Sequence, residues 1–167
     1  PYSENYSKFV NIWANLPMYE KNIVFDFFNL LINNQIILVI SGTGSGKTIL
    51  VPKFLLKYLI TLNLKGKIAI TNPKIITTIY NAKFAASSLD TELGNEVGIR
   101  YRGSAENLYS KENSRLVYVT DGLILALILH GDNLLSEYAG IIIDEAHERQ
   151  IQIDLLLLLL RNLLKNR

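Results

Sequence analysis

The stretch from Ile36 to Thr48 constrains this chain most: five apolar residues of strand character run directly into Ser-Gly-Thr-Gly-Ser-Gly-Lys-Thr. With glycines at 42, 44 and 46 followed by Lys47 and Thr48, it reads as the phosphate-cradling loop G-x-x-x-x-G-K-T. Glycines let successive backbone N–H groups turn inward onto phosphate oxygens, and the helix that follows adds its positive N-terminal end. The candidate nucleotide-binding residues are therefore Gly42, Thr43, Gly44, Ser45, Gly46, Lys47 and Thr48. Lys47 is expected to reach the terminal phosphates and the Thr48 hydroxyl to hold Mg²⁺, which makes ATP or another nucleoside triphosphate the first ligand to consider.

Around this loop, apolar runs rich in β-branched residues alternate with helical patterns. The periodicity predicts helices over 18–33, 47–61, 74–89, 121–130 and 152–165. Strands are predicted over 35–40, 67–71, 115–119 and 139–143, with a short one near 97–102. Such alternation implies an α/β fold, a parallel twisted sheet with helices on both faces, in which ligands sit beyond the C-terminal ends of the strands. Those ends are Ser41, Thr71, Thr120 and Asp144, and each opens a polar cluster. At 167 residues the chain is one domain's worth, and its 49% hydrophobic content suits a buried sheet. Pro1 stands where an initiator Met would, and Arg167 falls inside an apolar helical pattern, so a fragment of a longer protein is expected.

A second cluster completes the nucleotide site. Ile141-Ile142-Ile143 leads into Asp144-Glu145-Ala146-His147-Glu148-Arg149, which leaves two carboxylates at the rim of the sheet where the glycine loop also opens. Asp144 is expected to hold the metal with Thr48, and Glu145 to polarise the attacking water, as phosphoryl transfer requires.

With both clusters in view the chain resembles the DEAH-box helicases of superfamily 2 along nearly its whole length, as the first RecA-like domain of such an enzyme. The acid motif carries the resemblance, together with Leu16-Pro17-Met18-Tyr19 ahead of the loop, Thr71-Asn72-Pro73-Lys74, Val97-Gly98-Ile99-Arg100-Tyr101-Arg102, and Thr120-Asp121-Gly122. The resemblance implies a RecA-like P-loop NTPase fold and coupling of ATP hydrolysis to movement on single-stranded RNA or DNA. It implies catalytic roles for Glu145, Lys47 and His147, the last linking the nucleotide site to a second RecA-like domain outside this chain. It also implies backbone contacts to nucleic acid from Thr71, Pro73, Lys74, Arg102, Thr120, Asp121 and Gly122. Lys74-Ile75 stands where many relatives have two arginines, and counting from Pro73 puts Phe84 where relatives often have an adenine-stacking arginine.

From the residues alone, Lys74, Arg100, Arg102, Lys111 and Arg115 lie in segments that follow or link strands and suit a phosphate-tracking groove. The net charge of +2 is too small to add a general attraction, so any such binding rests on local placement. Tyr101 offers a ring that can stack a base, although a tyrosine in a short strand more often packs half-buried, and His130 has the pattern of a structural helix end. The absence of cysteine excludes disulfides and thiolate metal sites, and no secretory signal pattern opens the chain, so an intracellular protein is expected. Leu155–Leu160 is flanked by Asp154 and Arg161 and is far short of the ~20 apolar residues that span a bilayer. Two other readings stay open: a phosphate-loop ATPase motor of another type, and a nucleic-acid clamp that keeps the fold without hydrolysis.

Overall fold

The computed structural model describes residues 3–132 and 134–166; Pro1 and Arg167, the expected domain limits, lie outside the described residues. Six helices run in chain order as α1 (Glu4–Trp13), α2 (Lys21–Asn33), α3 (Lys47–Thr61), α4 (Ile75–Ser88), α5 (Asp121–Leu129) and α6 (Ile151–Leu163). Between them lie β1 (Lys67–Asn72), β2 (Val97–Arg100), β3 (Leu116–Thr120) and β4 (Tyr138–Ile143). The strands form one sheet in the order β2-β3-β1-β4, every pairing parallel.

β1 is buried at all of its positions and hydrogen-bonded on both sides, with Ile68 opposite Leu116 of β3 and Gly140 of β4. A strand of that kind needs cover on both faces. On one face α3 and α4 pack Leu59, Ala82 and Ala85 against Ile68, Ile70, Ile99 and Leu116. On the other, α5 and α6 pack Ile124, Leu125 and Leu156 against Ala69, Val117 and Val119. The expected α/β class, with a parallel sheet between two helical layers, is the architecture observed.

Two local expectations change. The strand predicted at 35–40 is not in the sheet, because a strand pattern specifies alternation but not a ladder partner, and none is present among the described residues. The segment keeps its period of two: Ile37 and Val39 are half-buried, while Ile36, Leu38 and Ile40 are exposed. The second change is α1, which is absent from the elements expected above. The Ser3 hydroxyl caps it by accepting from the Tyr6 amide at 3.0 Å. Tyr6, Phe9, Val10 and Trp13 then recur at helical spacing and join the third core cluster with Met18, Phe27, Leu50 and Phe54.

Trp13 lies face-on to the ammonium of Lys53 from α3, with 4.6 Å between the nitrogen and the ring centroid. Lys53 also donates to the Ile49 carbonyl at 3.1 Å. These contacts do not offset its loss of water: burial pushes the Lys53 amine down from 10.5 to about 8. Below pH ~8 the amine is charged in both folded and unfolded chains and its full cost is present; between ~8 and ~10.5 the unfolded chain binds more protons, so stability rises with pH. Lys53→Met is therefore expected to raise the melting temperature at pH 7 by about 2–4 °C. Thermal unfolding repeated at pH 10 should show that gain reduced.

Candidate nucleotide site

The glycine loop is shaped by two left-handed residues, Gly44 at φ 77° and Gly46 at φ 93°, the second serving as the N-cap of α3. A side chain on Gly46 would collide with the Leu16 side chain, whose Cδ1 would lie 2.7 Å from the added carbon. The Leu16-Pro17-Met18 segment thus packs beneath the loop, and the Met18 amide donates to the Ser45 carbonyl at 3.1 Å. The spacing read from the sequence needs one correction. Counting back from Lys47, the first position of G-x-x-x-x-G-K-T falls on Ser41, not on Gly42. Ser41 does not have positive φ, so glycine is not needed there, and its hydroxyl meets that of Ser45 at 2.7 Å. Gly42 also lacks a positive φ, and a side chain there would meet no atom within 4 Å.

Lys47, in the first turn of α3, donates to the Ser41 and Gly42 carbonyls at 3.0 and 3.2 Å, which holds its ammonium at the mouth of the loop. Thr48 follows it, and its hydroxyl lies 3.5 Å from Asp144 Oδ1. The far end of the contact is placed by the sheet: β4 ends at Ile143, and the Asp144 amide donates to the Thr71 carbonyl of β1 at 3.3 Å. Thr48 and Asp144, far apart in sequence, therefore present two hard oxygen donors to one point. Oxygens bound side by side on a small octahedral cation are roughly 3 Å apart, so this pair has the spacing to share one.

Glu145 comes next in an unusual backbone state. Its φ of 54° is left-handed, as is that of Arg149 at 50°, and the two bracket the short turn Ala146–Glu148. Non-glycine residues in that region cost of order 1 kcal/mol or more, and persist where surrounding contacts impose them. One such contact is the Glu145 amide donating to Asp144 Oδ1 at 3.0 Å; another is the Arg149 fork on Asp154 of α6, at 2.8 and 3.1 Å. The turn aims the Glu145 carboxylate at His147, whose Nδ1 lies 3.2 Å from Glu145 Oε2 while the imidazole is otherwise exposed. Phe84 lines a recess with Thr48, Lys53 and Asn81 that holds about 20 Å³, room for little beyond one water. Its ring meets Phe9 edge-to-face at 5.4 Å. Phe84 is half-buried, and this contact packs α4 against α1.

The residues expected to meet nucleic acid divide in two. Lys74, Arg102 and Gly122 are exposed and Pro73 and Thr120 half-buried, all at or beyond the C-terminal edge of the sheet. Thr71 and Asp121 correct the expectation for their side chains, because at 0% and 1% exposure both face the interior, where the last turn of the sheet meets α5. Two of the cations proposed for a groove are likewise occupied elsewhere. Arg115 precedes β3, at the opposite end of the sheet, and donates to the Gly66 and Leu64 carbonyls at 3.0 and 3.1 Å. Arg100 donates to the Tyr138 hydroxyl at 3.0 Å and joins Lys67 and Glu137 around the Tyr109 ring. In that cluster burial would raise the Glu137 carboxyl, but the Tyr109 hydroxyl, Lys67 and Arg100 together bring it below its ordinary value. Burial, reinforced by Glu137, pushes Tyr109 up to about 12.

The loop geometry generates a direct test. Gly46→Ala combines a strained φ with a collision against Leu16, and should lower nucleotide affinity at least 10-fold in a fluorescent-nucleotide titration. Gly42→Ala, which meets neither obstacle, should stay within about 3-fold of the parent.

Comparison with known proteins agrees with this geometry. The model of the DEAD/DEAH box helicase family matches residues 25–163. The chain is 42% identical over 166 residues to protein L540 of Acanthamoeba polyphaga mimivirus, covering 99% of this chain and 23% of that protein. It is 34% identical over 141 residues to the ATP-dependent RNA helicase TDRD9 of Danio rerio, covering 84% of this chain and 10% of the relative. With the ATP-dependent RNA helicase HrpA of Escherichia coli strain K12 it shares 37% identity over 153 residues, 92% of this chain and 11% of HrpA. The chain thus spans about a quarter or less of the length of these relatives. A glycine loop and an acid turn joined through Thr48 and Asp144, with a family model that matches from α2 to the end of α6, mean that this chain belongs to the DEAD/DEAH box helicase family.

Proposed function

We propose that the chain is the first RecA-like, ATP-binding domain of a DEAH-type, ATP-dependent RNA helicase, and that the rest of the motor lies outside it. The observation that carries this reading is the 3.5 Å approach of the Thr48 hydroxyl to the Asp144 carboxylate, which joins the loop to the acid turn. The Asp144-Glu145-Ala146-His147 order supports the DEAH type, and the naming of TDRD9 and HrpA as ATP-dependent RNA helicases supports RNA over DNA.

In this reading the loop amides and Lys47 bind the phosphates, and Lys47 exchanges the Ser41 and Gly42 carbonyls for phosphate oxygens. Thr48 and Asp144 hold Mg²⁺, which when bound neutralises charge on the phosphates. No group of three or more His, Cys, Asp or Glu side chains converges among the described residues, which suits an ion that takes its other ligands from phosphate and water. Glu145 orients and deprotonates the attacking water, and His147 restrains the Glu145 carboxylate from the outer side. Lys74, Arg102, Thr120 and Gly122 face the nucleic-acid backbone across the C-terminal edge of the sheet. A second RecA-like domain supplies the opposing wall with the cations that stabilise transition-state charge, a contribution worth about 10³ to 10⁵ in rate in related chemistry.

In the full-length protein, single-stranded RNA should stimulate ATP turnover, and Glu145→Gln should reduce that turnover by about 10² to 10⁴ while RNA binding persists. Turnover unchanged by the substitution would favour the clamp reading, and turnover indifferent to both RNA and DNA would favour an ATPase motor of another type. The 167-residue chain by itself should bind nucleotide weakly and hydrolyse it at least 10³-fold more slowly than the full-length enzyme, measured by phosphate release.

A further inference from the structure

The interior end of the sheet holds a group of polar atoms that the nucleotide site does not use. Asp121, the first residue of α5, is 1% exposed, and neither carboxylate oxygen closes a hydrogen bond of ordinary geometry among the described residues. The Thr71 hydroxyl, wholly buried at the end of β1, is in the same condition. Chemically the Thr71 and Asp121 groups complement each other: a hydroxyl that donates beside a carboxyl that accepts. Register brings them together, since Thr71 stands opposite Val119, two residues before Asp121.

Buried polar atoms that close no hydrogen bond of ordinary geometry are uncommon, and three on one face of the sheet end have a cost that a fold carries only for a reason. The surroundings supply one. The carbonyl of Thr71 accepts from the Asp144 amide, so the residue whose hydroxyl faces Asp121 also fixes the backbone of the metal-side acid. Burial raises the Asp121 carboxyl, the Thr71 hydroxyl opposes that rise, and Glu148, in the turn after the acid pair, adds to it through space. On its outer side Asp121 is flanked by Thr120 and Gly122, which lie at the proposed nucleic-acid edge.

We propose that Asp121 is a positioning residue and not a nucleic-acid contact: its buried side chain, set beside the Thr71 hydroxyl, ties the end of β3 to the end of β1, whose Thr71 carbonyl holds the Asp144 amide. A strand bound along Thr120 and Gly122 then acts on Asp144 through Asp121 and the Thr71 peptide. The inference rests on the helicase reading, and the two fail differently.

The test uses the full-length protein, with ATP turnover measured over a titration of poly(U) RNA. No stimulation of the parent by RNA sinks the helicase reading itself. With stimulation present, Asp121→Ala is expected to lower kcat at saturating RNA at least 10-fold, with KM for ATP and RNA affinity within about 3-fold of the parent. Asp121→Asn, isosteric and able both to donate and to accept, should recover kcat to within about 3-fold. Thr71→Val should reproduce the loss, and combining it with Asp121→Ala should add little. A kcat that stays within 2-fold in Asp121→Ala overturns the proposal, as does failure of Asn to rescue. Loss confined to RNA affinity also overturns it, since that would make Asp121 a direct contact. If Asp121→Ala does not fold by circular dichroism, Thr71→Val and Asp121→Asn decide: the first must lose kcat and the second keep it.

Discussion

β1 is the member on which the rest of this molecule depends. It is buried along its whole length, hydrogen-bonded to β3 on one side and β4 on the other, and covered by a helical layer on each face. Burying a large aliphatic side chain contributes about 1.5–3 kcal/mol, so Ile68 and Ile70 alone make a change of register costly. Parallel pairing on both sides then leaves no choice about where the C-terminal ends go. Thr71, Asn72, Thr120 and Asp144 arrive at one edge because the ladders that hold Ile68 and Ala69 place them there. The Asp144 amide bonded to the Thr71 carbonyl is the last rung of that arrangement, and it sets the Asp144 carboxylate against the loop.

The two halves of the site reach their geometry by opposite means. In the glycine loop the left-handed positions are Gly44 and Gly46, where no side chain opposes the conformation, and Leu16 and Met18 fill the space beneath. In the acid turn the left-handed positions are Glu145 and Arg149, which carry side chains and the associated strain. Contacts offset it: the Arg149 fork on Asp154 ties the end of the turn to α6, and Asp144 Oδ1 accepts the Glu145 amide at its start. A strained turn held from both ends points a carboxylate in one direction more firmly than a relaxed loop would, which suits the water-aligning role proposed for Glu145.

Much of this was legible from residue order. Lys47, Thr48, Asp144 and Glu145 are chemically distinctive types at the ends of apolar runs, and the alternation of strand and helix periods puts such ends on one edge. Less legible was what each neighbour would touch. Arg115 and Lys74 look alike in sequence, both beside a strand, yet one precedes its strand and binds loop carbonyls while the other follows and is exposed. Thr71 and Asp121 sit in segments matched to a surface role, but the meeting of α5 with the sheet end turns both side chains inward. The segment 36–40 has the strongest strand composition in the chain and no ladder, because pairing belongs to two segments and a period belongs to one. The helix α1 had a readable pattern in Tyr6, Phe9, Val10 and Trp13, and its effect on Lys53 had none.

By itself, then, the sequence determined the α/β class and picked out the glycine loop and the acids as candidates, since these follow from periodicity and from residue chemistry at fixed local spacing. Tertiary structure decided which distant groups share a point in space: Thr48 with Asp144, Lys53 with Trp13, and Asp121 with Thr71. The reason is that burial, desolvation and hydrogen-bond pairing depend on what packs from other elements, and only the completed sheet with its two helical layers specifies that.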